Sequence, residues 1–246
     1  MSAIKRFERH LLRNYLIGSF VAVFGVGCLF IFETLTFTGT EQLILICIMF
    51  FSVSLMVLLE YLVYSKHVRS LRYFFQTDFP SLSSFQNAYR TAHRFPVLTV
   101  QRIMGPHFLG LSVPSSLLTA LAISQGWLRM PYYLIGLACF GAVLVAILHA
   151  LIEFFLTYRV TEQMLLTLEK HALDRRFDVP KKTTVVTLRH KMLISTLIIG
   201  VFPVMLFVLA SAVQLTENES LRSYWSWATL ILVVILSVAT FCSLLL

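Results

Sequence analysis

Long apolar runs alternate with polar stretches along this chain, and the runs come in pairs. Six of them approach or exceed the ~20 residues that cross a ~30 Å hydrocarbon core. They are Tyr15 to Phe32, Leu43 to Tyr64, Phe108 to Leu128, Tyr132 to Tyr158, Met192 to Leu215 and Tyr224 to Leu246. Short connections containing Gly39, Gly126 and Asn218 separate the members of each pair. The pattern predicts an all-α, polytopic membrane protein: six transmembrane helices as three hairpins, 15–64, 108–158 and 192–246, in one domain spanning 1–246. Polar linkers 65–107 and 159–191 join the hairpins.

The linkers carry helical periodicity of their own. Val160, Met164, Leu165, Leu168 and Leu173 recur at helical spacing with Glu162, Glu169 and Lys170 off the stripe,. Tyr132 to Leu173 is therefore expected as one helix of 42 residues, about 63 Å at 1.5 Å per residue and longer than the bilayer is thick. Lys66 to Phe75 extends the second span in the same way. Ser83 to Arg94 predicts a second, amphipathic helix ended by Pro96, followed by a β-favouring run, Val97 to Met104,. Such segments are either stalks that contact another domain or interfacial helices lying among headgroups.

A repeat underlies the second and third hairpins. Val97 to Met104 matches Val185 to Met192, and the Pro-interrupted helices Gly110 to Pro114 and Gly200 to Pro203 follow. Leu59-Glu60-Tyr61 and Ile152-Glu153-Phe154 end the second and fourth spans, and Asp78-Phe79-Pro80 and Asp178-Val179-Pro180 close their extensions.

Charge sets the orientation. Of 20 Lys and Arg, 18 fall in the N-terminal segment and the two long linkers, leaving only Arg129 and Arg222 in the other connections. Cations near helix ends resist translocation, so both termini and both linkers are expected in the cytoplasm. Trp127, Tyr132, Tyr133, Trp225 and Trp227 mark the outer interface,. The net charge of +8 thus reads as this topological signal and a surface for anionic lipid, not as a nucleic-acid footprint,. All four cysteines lie in apolar spans, where they act as small hydrophobes,. The first span lacks a small-residue cleavage signature and reads as an uncleaved helix. The last ends at Leu246 without a closing Lys or Arg, and a C-terminal output domain is expected to be missing from these residues.

Polar groups within spans are few and each is a candidate site. Glu60 lies 17 residues past Leu43 and Glu153 lies 21 past Tyr132, about 26 and 32 Å down their helices and near the inner headgroups. There they are expected to be hydrated or paired with Lys66, Arg159 or Arg72. His149 sits one turn deeper than Glu153 on the same face,. Three roles remain open for it: packing, proton relay, or meeting a carboxylate such as a fatty-acid head. A metal site needs further ligands, and no other His falls within a predicted span,. Pro114 and Pro203 remove helical hydrogen bonds, and Gly110 and Gly200 nearby permit bending, so passive kinks or hinges are both open. Gly18 and Ala22, or Gly25 and Gly27, allow close helix approach within or between chains,. Catalytic motifs are absent, and neither a metal nor a cofactor is expected.

The run from Phe155-Leu-Thr-Tyr-Arg-Val-Thr-Glu-Gln-Met through Leu188-Arg-His-Lys-Met-Leu to Gly200-Val-Phe-Pro203-Val resembles the membrane region of bacterial class III adenylate cyclases. Similar regions occur in some histidine kinases. The recognisable residues lie in about 147–215, and Glu162-Gln163 departs from the Arg-Pro often found in such stalks. The resemblance implies a homodimeric sensor or anchor that passes a signal to a HAMP linker and a cyclase or kinase domain beyond these residues. Outer loops this short cannot form a ligand domain, so the expected stimulus is membrane lipid, a fatty acid, membrane tension or another membrane protein. The alternative is a small transporter or permease, since repeated hairpins with broken helices often form substrate sites.

Overall fold

The computed structural model describes residues 3–28, 37–180, 196, 200–214, 228–237 and 240. Seven α-helices form among them: α1 (Ala3–Ser19), α2 (Gly39–Gln76), α3 (Leu82–Arg102), α4 (Phe108–Ser124), α5 (Tyr133–Arg175), α6 (Phe202–Gln214) and α7 (Ala228–Ser237). No strand occurs among the described residues. Three continuous helices, Gly39–Gln76, Leu82–Ser124 and Tyr133–Arg175, are long and apolar enough to cross a membrane. Their exposed faces carry Leu43, Phe50, Phe51, Leu117 and Leu121, a surface that suits lipid better than water,. Most of the predicted third hairpin, and the end of the first span, lie outside the described residues.

Each helix follows its apolar spacing. In α1, Ile4, Phe7, Leu11, Asn14 and Gly18 are buried, alternating steps of three and four, while Lys5, Arg6, Arg9 and Arg13 are exposed,. The helix then continues as a π-helix over Phe20–Cys28. Thr38 caps α2 through a reciprocal box: its backbone N–H donates to Glu41 Oε2 at 2.9 Å, and its hydroxyl accepts from the Glu41 N–H at 3.4 Å,. The other Glu41 oxygen accepts from the Arg129 backbone N–H at 2.9 Å, tying two connections together. The 43 residues of α5 agree with the expected long helix to within two residues at each end. Arg176 ends it with a left-handed φ of 56°. That turn folds Phe177 back against Phe85, with 5.6 Å between ring centroids.

The β-favouring run and the helix stop at Pro96 are both corrected. Helix α3 runs through Pro96 to Arg102, and a π-turn over Ile103–His107 joins it to α4. Phe85, Ala88, Tyr89, Ala92, Phe95, Thr99, Arg102 and Ile103 form one buried stripe at helical spacing. Burial along that stripe outweighs the β preference of Val97, Thr99 and Val100, and it also outweighs the hydrogen bond that Pro96 removes. Pro106 sits inside the π-turn, where the backbone pattern is already interrupted,.

Two cores result. At the basic end, α1, the last third of α2, α3 and the far part of α5 make a four-helix bundle around Phe7, Leu71, Phe74, Phe85, Phe95 and Leu168. The extensions of α2 and α5 therefore do not stand alone: both pack against α3, and they meet each other where Phe74 and Phe75 face His171. The apolar end is centred on Leu144, Leu148 and Ile152 of α5, with Leu206 and Leu209 of α6 and Ile231 and Ile235 of α7.

Close approach of α2 and α4 depends on Gly110. A Cβ there would lie 3.0 Å from the Met56 Cα and 3.2 Å from Leu59 Cδ1. Since one of those atoms is backbone, Gly110→Val is expected to force the helices apart. The cost should be about 1–3 kcal/mol, as for other overpacked sites, read as a lower thermal midpoint in detergent. An unchanged midpoint would show that the two helices slide freely.

Candidate functional site

Between the two cores lies a layer of buried polar side chains drawn from four helices. Glu60 of α2 is the hub. One carboxylate oxygen accepts from Arg102 Nε at 2.8 Å and the other meets His107 Nδ1 at 2.7 Å. All three side chains are nearly inaccessible, at 7, 5 and 4 % exposure. The Arg102 guanidinium also lies over the Tyr64 ring, 5.3 Å from its centroid. Such a charge pair is tolerated in a dry interior only when its geometry is good, and here Arg102 Nη1 is left without a partner.

His107 faces His149 of α5 edge to face, with 4.8 Å between ring centroids. Tyr15 of α1 stands beside both rings, at 6.0 Å from His107 and 5.9 Å from His149. Its hydroxyl is 3.4 Å from His107 Nδ1. His149 Nε2 lies 3.4 Å from the Ser19 hydroxyl. One turn further toward the basic end, Glu153 accepts from the Thr157 hydroxyl at 3.4 Å through Oε2, while Oε1 has no partner. Asn14 donates from Nδ2 to the Leu156 carbonyl at 3.0 Å.

Gly18 lets α1 come this close. A Cβ at that position would sit 3.0 Å from His149 Cδ2 and 3.3 Å from Glu153 Cγ. The small residue predicted at Gly18 therefore serves a contact within the chain.

On the apolar side, the two histidines close one end of a cavity of about 240 Å³. Its walls come from Val23 and Gly27, from Leu45, Ile48 and Met49 of α2, from Phe108 to Thr119 of α4, from Leu134 to His149 of α5, and from Leu206 and Leu209 of α6. Apolar groups dominate, apart from the histidines and a stripe of Ser112, Ser115, Ser116 and Thr119. Ser115 bonds back to the carbonyls of Leu111 and Ser112, and Ser116 meets Cys139 Sγ at 3.1 Å. The Ser112 hydroxyl is buried and without a partner.

The structure brings Glu60, His149 and Glu153 into one layer, as their depth suggested, but changes their company. Glu60 pairs with neither Lys66 nor Arg72; Arg72 instead binds Glu8. Of the two fates expected for the carboxylates, hydration is corrected, since Glu60 and Glu153 are 6 and 1 % exposed, while Glu60 is paired, with Arg102. A second histidine does join His149. His107 escaped the sequence reading because it falls one residue before the predicted third span. The signal was present, for His107 continues the Thr99, Ile103 spacing of the buried stripe,.

The remaining candidates lie elsewhere. Pro114 sits in α4 one turn beyond Gly110, whose carbonyl it leaves without the usual helical donor,. Gly200 is exposed, with nothing near the place a Cβ would take. Pro203 is the second residue of α6, directly after the π-helical Gly200 and Val201. Among the described residues, no group of three His, Cys, Asp or Glu side chains is placed to hold a metal.

Comparison with protein-family models, with curated proteins and with solved structures finds no match to this chain.

Proposed function

We propose that the chain is the membrane-embedded input module of a bacterial signalling protein. In this reading six spans form three hairpins in the inner membrane, with both termini cytoplasmic, and two copies pair. The module takes a signal from the bilayer and passes it through the sixth helix to a HAMP linker and a cyclase or kinase domain. The observation that carries the reading is the polar layer at the junction of the two cores, through which α2, α5 and the joined α3 and α4 pass without a break. Among the described residues, the long helices that join the apolar end to the basic bundle carry Glu60, His107 and His149 at the junction. That is the connection between two ends that a relay needs.

The test is a fusion of the chain to a HAMP-cyclase output, with cyclic nucleotide measured in vesicles of varied lipid composition. Output is expected to follow the lipid in the wild type and to lose that response by about tenfold in His149→Phe or Glu153→Gln, a coupling near the ordinary allosteric range. Output indifferent to lipid and to both substitutions would leave the module as an anchor only.

A transporter is the second reading, favoured by the unpartnered Glu153 Oε1 inside the bundle. Buried carboxylates next to histidines are a common feature of proton-coupled pathways. Solute-driven uptake of protons into liposomes holding the purified chain would select it over the input module.

A further inference from the structure

We infer that the cavity beneath His107 and His149 binds a single-chain carboxylic acid, its head at the two imidazoles and Ser112 and its tail along the apolar wall toward Cys139. The inference rests on the input-module reading and gives that module its ligand class.

Size is the first argument. At about 240 Å³ the space exceeds the ~150 Å³ apolar cavity that stays dry and takes up benzene,. It suits one acyl chain better than a lipid with two.

The chemistry at the closed end selects the head. His107 Nδ1 is engaged by Glu60 at 2.7 Å, so with that nitrogen donating, Nε2 is left for another partner,. Among the described residues His149 makes one hydrogen-bonding contact, a long one from Nε2 to Ser19 at 3.4 Å. The Ser112 hydroxyl on the wall is buried and unpaired. A carboxylic acid satisfies this set: its O–H donates to an imidazole nitrogen and its C=O accepts from the serine hydroxyl. Transfer of that proton to the ring would turn the pair into a carboxylate and an imidazolium, with the charges adjacent.

Other heads fit less well. Glu60 and Glu153 lie behind the rings and are not part of the cavity wall, so among the described residues an ammonium head finds no carboxylate facing it. An ester lacks the donor and leaves an imidazole nitrogen unmet, the kind of loss that costs binding most in a desolvated site.

The experiment uses the full chain in phosphatidylcholine nanodiscs and dodecanoic acid carrying a diazirine at its tail end. Photolabelling is expected on the segments of α4 and α5 around Ser116, Cys139 and Ala142. Free dodecanoic acid should compete at least about tenfold better than its methyl ester or dodecylamine, the ratio a lost buried hydrogen bond commands. Ala142→Phe, which fills the cavity, should abolish labelling, and Ser112→Ala, which disturbs no packing, should weaken it several-fold. Equal competition by acid and ester, or undiminished labelling in Ala142→Phe, would overturn the inference. The two readings separate cleanly: labelling without any response in the HAMP-cyclase fusion supports the ligand site and removes the relay. A fusion that responds to lipid while the cavity stays unlabelled removes the ligand site and keeps the relay.

Discussion

Glu60→Leu is expected to destabilise the chain by about 3–5 kcal/mol, the usual cost of removing one member of a buried charge pair. Arg102 is 5 % exposed, and both of its remaining options are poor. Its Nη1 already lacks a partner, and the Tyr64 face offers only a weak cation–π contact to a charge that has lost its carboxylate,. His107 would lose its 2.7 Å partner in the same step, freeing the ring that closes the cavity. Glu60→Gln keeps an acceptor for Arg102 but removes the charge, so it should fall between the wild type and Glu60→Leu. The double variant Glu60→Leu with Arg102→Leu should recover most of the loss, because no uncompensated charge remains. Thermal and denaturant titrations in detergent would read all three. A Glu60→Leu chain as stable as the wild type would mean that the pair is reached by water, and the dry polar layer would have to be abandoned.

The architecture was more legible in the sequence than the partnerships were. Helix α5 could be read across its whole length because Val160, Met164, Leu165 and Leu168 keep helical spacing beyond the apolar run. The continuity of α3 into α4 could be read only by following burial. Val97, Thr99, Val100 and Pro96 each argue locally against a helix, and contact with α5 and α2 overrides them,. Depth along a helix placed Glu60, His149 and Glu153 at one level, since rise per residue is fixed. Which cation would meet Glu60 was a different matter. That depends on how helices rotate and cross, and a single chain's spacing does not encode it. Arg102 is 42 positions from Glu60, and it reaches the carboxylate because the buried stripe of α3 on which it lies packs against α2.

Phe85→Ala is the second large effect, at about 3–5 kcal/mol for a fully buried aromatic cut to a methyl group. Phe85 is 0 % exposed and lies within 6 Å, centroid to centroid, of Phe74, Tyr89 and Phe177. Those rings come from α2, from α3 itself and from the turn after α5, so the cavity left behind opens at the meeting point of the bundle. The neighbours are held by long helices and can collapse only a little, which puts the cost at the upper end. Leu166→Ala removes a comparable apolar side chain from a surface position, 63 % exposed, and should stay within about 0.5 kcal/mol,. The contrast carries a functional consequence. If the basic bundle only anchors, Phe85→Ala lowers stability and leaves the lipid response of a HAMP-cyclase fusion intact in the folded fraction. If the bundle transmits, the loosened α2–α3–α5 contact should erase that response while basal cyclase activity persists. Cyclic nucleotide measured per folded protein, against lipid composition, separates the two, and an unaltered response in Phe85→Ala would exclude the bundle from the relay.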